Sequence, residues 1–385
     1  MIYEDILQKL SSESRLRVIP ETSDGIDLVT NDYMGLGARY REFSEEFHRR
    51  FGDTPMSASA SRLLQRSQKQ HAMLESYLDS LYGKRTLLFN SGYHANTGAL
   101  SALSAPGVLI VSDKLSHASM IDGIRLGQGE SARFRHNDME SLRRILKQKA
   151  PLYRQIVIAT ESVFSMDGDM APLHELVELK KEFPGTLLYV DEAHAFGVFG
   201  DKGLGLSEEL GLLKEIDILV GTFGKAAAGS GAFIASSELM RDYLLNSARS
   251  FIFSTALPPS AIAWNLLMTE HLTEMKEERI YLRELSRWMR SEIEAITGVV
   301  SNSRSQILPV HAGSAERAIF IADSLRKSGY DVLPIRRPTV AAGSERIRLS
   351  LSASLNREKL KPLLAALKNV IKSENFTGVQ DSTGV

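Results

Sequence analysis

The stretch Ile216-Asp217-Ile218-Leu219-Val220-Gly221-Thr222-Phe223-Gly224-Lys225 decides the reading of this chain. Apolar, β-favouring residues run to Val220, and Gly-Thr-Phe-Gly then breaks the pattern. That reads as a buried strand entering a tight turn. A lysine on such a turn is held at one place and partly desolvated. Desolvation favours the neutral amine, whose lone pair attacks an aldehyde. Thr222, three residues earlier, offers a hydroxyl to a phosphate. Taken by itself, an exposed lysine beside a Gly/Ala/Ser loop is the commoner case. The rest of the chain decides between the two.

Working outward from this strand, strand and helix signals alternate. The pattern predicts strands at 85–89, 108–111, 132–135, 156–160 and 187–190, with helices at 92–103, 117–126, 138–148 and 172–183 between them. A helix at 67–82 precedes them and stops at Gly83. Such alternation predicts an α/β fold with a mostly parallel sheet covered by helices. Ligands of such sheets sit off the carboxyl ends of the strands. Residues 3–11 read as a short amphipathic helix, 25–29 as a short strand and 259–296 as two long helices. A smaller α+β unit follows, with strands at 306–310, 332–335 and 346–351 and helices at 315–327 and 357–372. The domain reading is an N-terminal segment 1–45, a large α/β domain 46–285 and a small α+β domain 286–385, with a polar tail from Glu374.

Composition narrows the function classes. The 385 residues carry a formal net charge of −1, which gives no electrostatic case for nucleic acid or an anionic membrane. There is no Cys, so disulfides, thiolate zinc sites and cysteine nucleophiles are excluded. No apolar stretch approaches the roughly 18 residues of a membrane span. The N-terminal Met1–Leu10 is acidic early and unlike a signal peptide, so the expected location is cytoplasmic.

Several polar strings fall at strand ends. Asn90-Ser91-Gly92-Tyr93-His94-Ala95-Asn96 joins a strand to a helix, where free amides of Gly92 and Tyr93 make an anion site. His117 opens the next helix, where an imidazole can lie flat on an aromatic cofactor; a capping or core histidine is the plainer alternative. Ser165, in Glu161-Ser-Val-Phe-Ser165-Met-Asp-Gly-Asp169, offers a hydroxyl, and Asp167-Gly-Asp169 reads as turn chemistry. Asp191, in Tyr189-Val-Asp191-Glu-Ala-His194, can pair with a protonated pyridine nitrogen. A cationic ring of that kind makes pyridoxal phosphate an electron sink, and His194, three residues on, offers an imidazole that can bond the ring hydroxyl. Asp191-Glu-Ala-His194 also imitates a helicase acidic box, but no G-x-x-x-x-G-K-[ST] loop accompanies it. No paired metal-ligand spacing links His94, His117 and His194, so no metal is expected. Phe253 to Pro259 reads as a polar turn after an apolar strand. Arg336, Arg346 and Arg348 put guanidinium groups in the small domain; Arg346 reads as part of a solvated edge strand.

Together these strings resemble the α-oxoamine synthases, fold-type I pyridoxal phosphate enzymes. NDYMGLG, FNSGYHAN, SDKLSHASMIDG, ESVFSMDGDMAPL, VDEAHAFGVFG, GTFGKAAAGSGAF, FIFSTALPP and RPTVAAGSERIRLSLSA carry the likeness, from about Asn31 to Leu355. The resemblance implies a seven-stranded-type sheet and a homodimer with active sites at the interface. It implies decarboxylative condensation of L-alanine with a pimeloyl thioester, on coenzyme A or an acyl carrier protein, as in biotin synthesis. Sister synthases using glycine or serine are the alternative. It further implies that Lys225 anchors pyridoxal phosphate and moves the Cα proton, Asp191 meets the pyridine nitrogen and His117 stacks on the ring. His194 and Ser165 would hold the ring hydroxyl. Gly92, Tyr93 and Thr222 would bind the phosphate, with Thr255 reaching in from the partner. Arg348 and Asn31 would take the amino-acid carboxylate, and Arg336, with Arg15 or Arg17, the acyl side. Two departures stand out. The family's glycine-rich segment is Ser57-Ala-Ser-Ala-Ser-Arg-Leu-Leu-Gln-Arg-Ser67 here, and Ala226-Ala-Ala228 follows the lysine where glycine is commoner. Lost glycines matter where the backbone needs positive φ.

Overall fold

The computed structural model describes residues 1–66 and 68–373; Ser67 and the tail from Glu374 lie outside the described residues. A helix at Ile2–Ser12 and strand β1 (Ile26–Asp27) open the chain. Then come β2 (Arg85–Phe89), β3 (Val108–Asp113), β4 (Glu130–Phe134), β5 (Gln155–Glu161), β6 (Thr186–Asp191), β7 (Ile218–Thr222) and β8 (Ala232–Ser236). These seven form one sheet in the order β2-β8-β7-β6-β5-β3-β4. Pairs from β4 across to β7 are parallel, while β8 runs antiparallel to β2 and β7. Parallel neighbours need crossovers; helices Ala118–Leu126 (β3 to β4) and Leu173–Glu182 (β5 to β6) supply two of them, while Gly92–Leu103 and Met139–Lys149 carry the chain from β2 to β3 and from β4 to β5.

The reason lies in the strands' composition. Every residue of β7 and β8 is buried, as in strands covered on both faces. Leu87, Ile110, Val157, Tyr189, Val220 and Ile234 share one core cluster with Ala95 and Leu100 of the 92–103 helix. Full burial of one such branched side chain contributes about 2 kcal/mol. Gly83 ends the helix Lys69–Tyr82 in a left-handed conformation, φ 62°, as its position suggested.

Three local expectations are corrected. β8 was not foreseen, because Ala-Phe-Ile-Ala-Ser is short and lacks alternation between two Gly/Ser-rich flanks. Phe253–Pro259 follows the helical turn Arg249–Ile252 rather than a strand. Arg346 is buried against Asp167 instead of lying on a solvated edge.

By contacts the chain forms two compact units, Asn31–Ser165 with Asp169–Tyr281, and Met1–Thr30 with Met166–Gly168 and Leu282 onward. The second unit holds β9 (Ile307–His311), β10 (Tyr330–Asp331), β11 (Leu333–Ile335) and β12 (Arg346–Ser350). β12 is the middle strand of an antiparallel β11-β12-β9 sheet, which is why Arg346 is covered. β1 pairs in parallel with β10. No helix among the described residues is long and apolar enough to cross a membrane.

Candidate active site

Asp191 sits at the carboxyl end of β6, nearly buried. Its Oδ2 accepts from Asn96 Nδ2 at 2.6 Å and its Oδ1 from the Ala193 amide at 2.9 Å. Asn96, on the 92–103 helix, also donates to Ser119 Oγ at 3.0 Å and accepts from Tyr189 OH at 2.7 Å. The tyrosine proton therefore fixes the amide's orientation and turns its N–H groups toward the carboxylate. Glu161 on β5 lies in register with Asp191 and is fully buried. Burial first, then the Asp191 charge, push its pKa up to about 8, against the opposing pull of Lys225. Both influences disfavour a second negative charge beside Asp191.

His117 is the N-cap of the helix Ala118–Leu126. Its Nδ1 accepts from the Ser119 amide at 3.2 Å and lies 2.7 Å from Ser119 Oγ. A hydrogen bond chain thus joins Asp191, Asn96, Ser119 and His117. Part of the His117 ring remains accessible, yet loss of hydration lowers its pKa, with Asp191 opposing and the Lys225 charge assisting.

Lys225 stands on a braced turn beyond β7. Phe223 is fully buried; its amide donates to Gly231 O at 2.9 Å and its carbonyl accepts from the Gly229 amide at 2.8 Å. Asn265, on the helix Pro259–Glu274, accepts from the Ser230 amide at 3.1 Å and donates to Ser230 O at 2.7 Å. Trp264 donates to Ala228 O at 2.9 Å. A Cβ at Gly229 would meet Asn265 Oδ1 at 2.1 Å, so glycine is required there by close approach. On this platform Lys225 Nζ comes to 2.8 Å from His194 Nε2. His194 Nδ1 in turn lies 2.6 Å from Tyr33 OH, which donates to Asn31 Oδ1 at 2.9 Å.

The unit containing β2–β8 therefore brings together Lys225, His194, Asn31, Asp191 and His117. It also places Gly92, first residue of a helix capped by Ser91, against Thr222, whose Cβ is 3.8 Å from where a Gly92 Cβ would be. The Thr222 hydroxyl donates to Gly231 O at 3.0 Å. Ser165 lies in the turn between the bridged residues Val163 and Met170. Tyr93 and Thr255 are exposed. Tyr93 OH donates to Asp122, and that hydrogen bond raises the phenol's pKa. Thr255 bridges to Ser61, and its carbonyl accepts from Asn90 at 2.6 Å.

The arginines belong to the other unit. Arg348, on β12, donates to Val29 O and Ser350 Oγ, both at 3.1 Å. Arg336 donates to Ser14 O, and Arg17 to Thr339 Oγ1 at 3.0 Å. Burial, then the charge of Arg17, lower the Arg336 pKa. Arg15 pairs with Glu13 at 2.6 Å.

Sequence reasoning gave no role to Asn96, Tyr33 or Glu161. Asn96 and Tyr33 stand inside motifs quoted for other residues, and their partners lie 95 and 161 positions away. It also missed His136, clamped by Asp113 at 3.0 Å and Asp169 at 2.7 Å.

A lysine, a carboxylate anchored from behind, two imidazoles and a capped helix N-terminus form a donor set suited to a pyridine ring with a phosphate. Comparison with known proteins agrees. Residues 23–367 match the model for aminotransferase class I and II. The 8-amino-7-oxononanoate synthase of Chlorobaculum parvum is 43% identical over 381 residues, covering 94% of this chain and 97% of that one. The serine palmitoyltransferase of Sphingomonas wittichii superposes with a TM-score of 0.85 at 29% identity, covering 96% of each chain. The 8-amino-7-oxononanoate synthase of Francisella tularensis superposes with a TM-score of 0.75 at 28% identity, covering 91% of this chain and 98% of that one. A further serine palmitoyltransferase structure is described as holding PLP. The chain is an enzyme of the aminotransferase class I and II family and belongs, within it, to the α-oxoamine synthases.

Proposed function

We propose that this enzyme condenses L-alanine with a pimeloyl thioester, releasing carbon dioxide and the thiol, to give 8-amino-7-oxononanoate for biotin synthesis. The observation that carries the reading is Lys225 Nζ, held 2.8 Å from His194 beside the braced Asp191. The relatives named 8-amino-7-oxononanoate synthase support the choice of substrates. Pyridoxal phosphate, bound here, supplies an electron sink for charge at the amino acid's Cα.

Lys225 would hold the cofactor covalently. Asp191 would meet its ring nitrogen, His117 its face, and His194 and Ser165 its hydroxyl. The amides of Gly92 and Tyr93 and the Thr222 hydroxyl would take the phosphate, joined by Thr255 from a second copy in a homodimer. Lys225 Nζ moves the proton at Cα, as general base and then as acid. Asp191, kept in place by Asn96, supplies the fixed negative charge the ring nitrogen needs. Asn31 and Arg348 are the proposed ligands of the amino-acid carboxylate, with Arg336, and Arg15 or Arg17, on the acyl side. The expected location is the cytoplasm.

The higher TM-scores of serine palmitoyltransferases favour one second reading, a sister synthase using serine or glycine. An absorbance titration of cofactor-loaded protein with L-alanine, glycine and L-serine, with and without pimeloyl thioester, separates the two. Thiol release with alanine alone supports the first reading. A response confined to serine or glycine moves the assignment to the sister enzyme.

A further inference from the structure

We infer that Tyr33 is a positioning residue that sets the tautomer of His194, and thereby presents a lone pair, rather than a proton, to Lys225. The inference rests on Lys225 being the reacting amine proposed above. Tyr33 is fully buried, so water does not compete for its hydroxyl. That hydroxyl has one proton, and its contacts include Asn31 Oδ1 at 2.9 Å and His194 Nδ1 at 2.6 Å. An amide oxygen has no proton to give. The phenol proton therefore goes to Asn31, and the short contact to His194 must be made by Nδ1–H donating to the phenol oxygen. In a neutral imidazole the lone pair is then on Nε2, the atom 2.8 Å from Lys225 Nζ. Lys225 donates to it. With the opposite tautomer, Nε2–H would point at the lysine, a contact that only the neutral amine could accept.

The arrangement places the determinant of Lys225's surroundings two residues beyond Asn31, on a loop preceding the sheet. It also gives the buried Tyr33 hydroxyl a purpose: a phenylalanine would fill the same apolar space but leave the imidazole free to exchange tautomers. Turning the Asn31 amide over would reverse the whole relay, with Nδ2–H donating to Tyr33 and Tyr33 to Nδ1. The two states are therefore distinguishable by which imidazole nitrogen carries the proton.

The test is long-range proton–nitrogen NMR of full-length protein labelled with 15N-histidine, before and after loading with pyridoxal phosphate. There are nine histidines, and the His194→Gln spectrum identifies the relevant signals. The expected result for the native chain is a protonated, pyrrole-type Nδ1 and an unprotonated, pyridine-type Nε2. The reverse pattern overturns the inference without any variant being needed. Tyr33→Phe should shift both nitrogens toward averaged values while the absorbance band of lysine-bound cofactor survives. An unchanged His194 pattern in Tyr33→Phe also overturns it. Absence of the lysine-bound band in the native protein refutes the proposed function instead, and the nitrogen pattern still decides the role of Tyr33.

Discussion

Ala228 and Ser59 hold φ of 46° and 56°, in the region that favours glycine. Both lie in the segments where the chain departs from the resembled family's glycines. A non-glycine residue there is strained by about 1–2 kcal/mol, partly offset by the stiffer unfolded chain that a side chain provides. Ala228→Gly and Ser59→Gly should each raise stability by roughly 0.5–1 kcal/mol, read from the urea midpoint. His136 gives a second prediction at this scale. Burial disfavours its charge, but hydrogen bonds from it to Asp113 and Asp169 win, and its pKa rises from 6.5 to about 10. Because the folded value is raised, the stabilisation is complete below pH 6.5 and fades as pH climbs through about 10. The melting temperature of native protein should therefore fall between pH 7 and 10, and His136→Gln should lack that component. The variant should also lose about 3 kcal/mol near neutral pH, since the buried Asp113 carboxylate loses its cationic partner and keeps only the amides of Leu115 and Asn137.

Among elements, β7 and β8 show how tightly the platform under Lys225 is built. A Cβ at Gly221 would come within 2.3 Å of the Phe233 ring, which packs against Phe196, Phe223 and Tyr82. Gly221→Ala should cost about 1–3 kcal/mol by overpacking, measured by denaturant unfolding. Phe233→Leu added to Gly221→Ala should recover part of that loss; a purely additive double variant would contradict the packing account. The strands β2 to β7 and their helices were legible because each carries its own periodicity or apolar run. β8 was not, because its place between β2 and β7 follows from pairing partners rather than from its five residues. Arg346 misled for the same reason: an alternating charged strand looks solvated until a neighbour on each side and Asp167 cover it.

For the molecule as a whole, the proposed homodimer carries the sharpest prediction. Thr255 is exposed on its own chain, and its proposed phosphate contact would come from a second copy. Thr255→Val should weaken cofactor binding, and Lys225→Ala should lower turnover by roughly a thousandfold. Mixing the two variants should restore one native-like site per mixed dimer; no recovery would place Thr255 with its own chain's lysine or with neither. What the sequence by itself determined was the α/β alternation, the strand ends that present Lys225, Asp191, His117 and His194, and the exclusion of thiol chemistry. Those rest on short-range rules, since turn chemistry, capping and burial periodicity act within a few residues. Only the tertiary structure decided that Asn96 braces Asp191, that Tyr33 meets His194, and that Arg346 closes on Asp167. Those partners are separated by 95, 161 and 179 positions, and a buried polar atom takes whichever partner the packed fold brings to it, which no local pattern encodes.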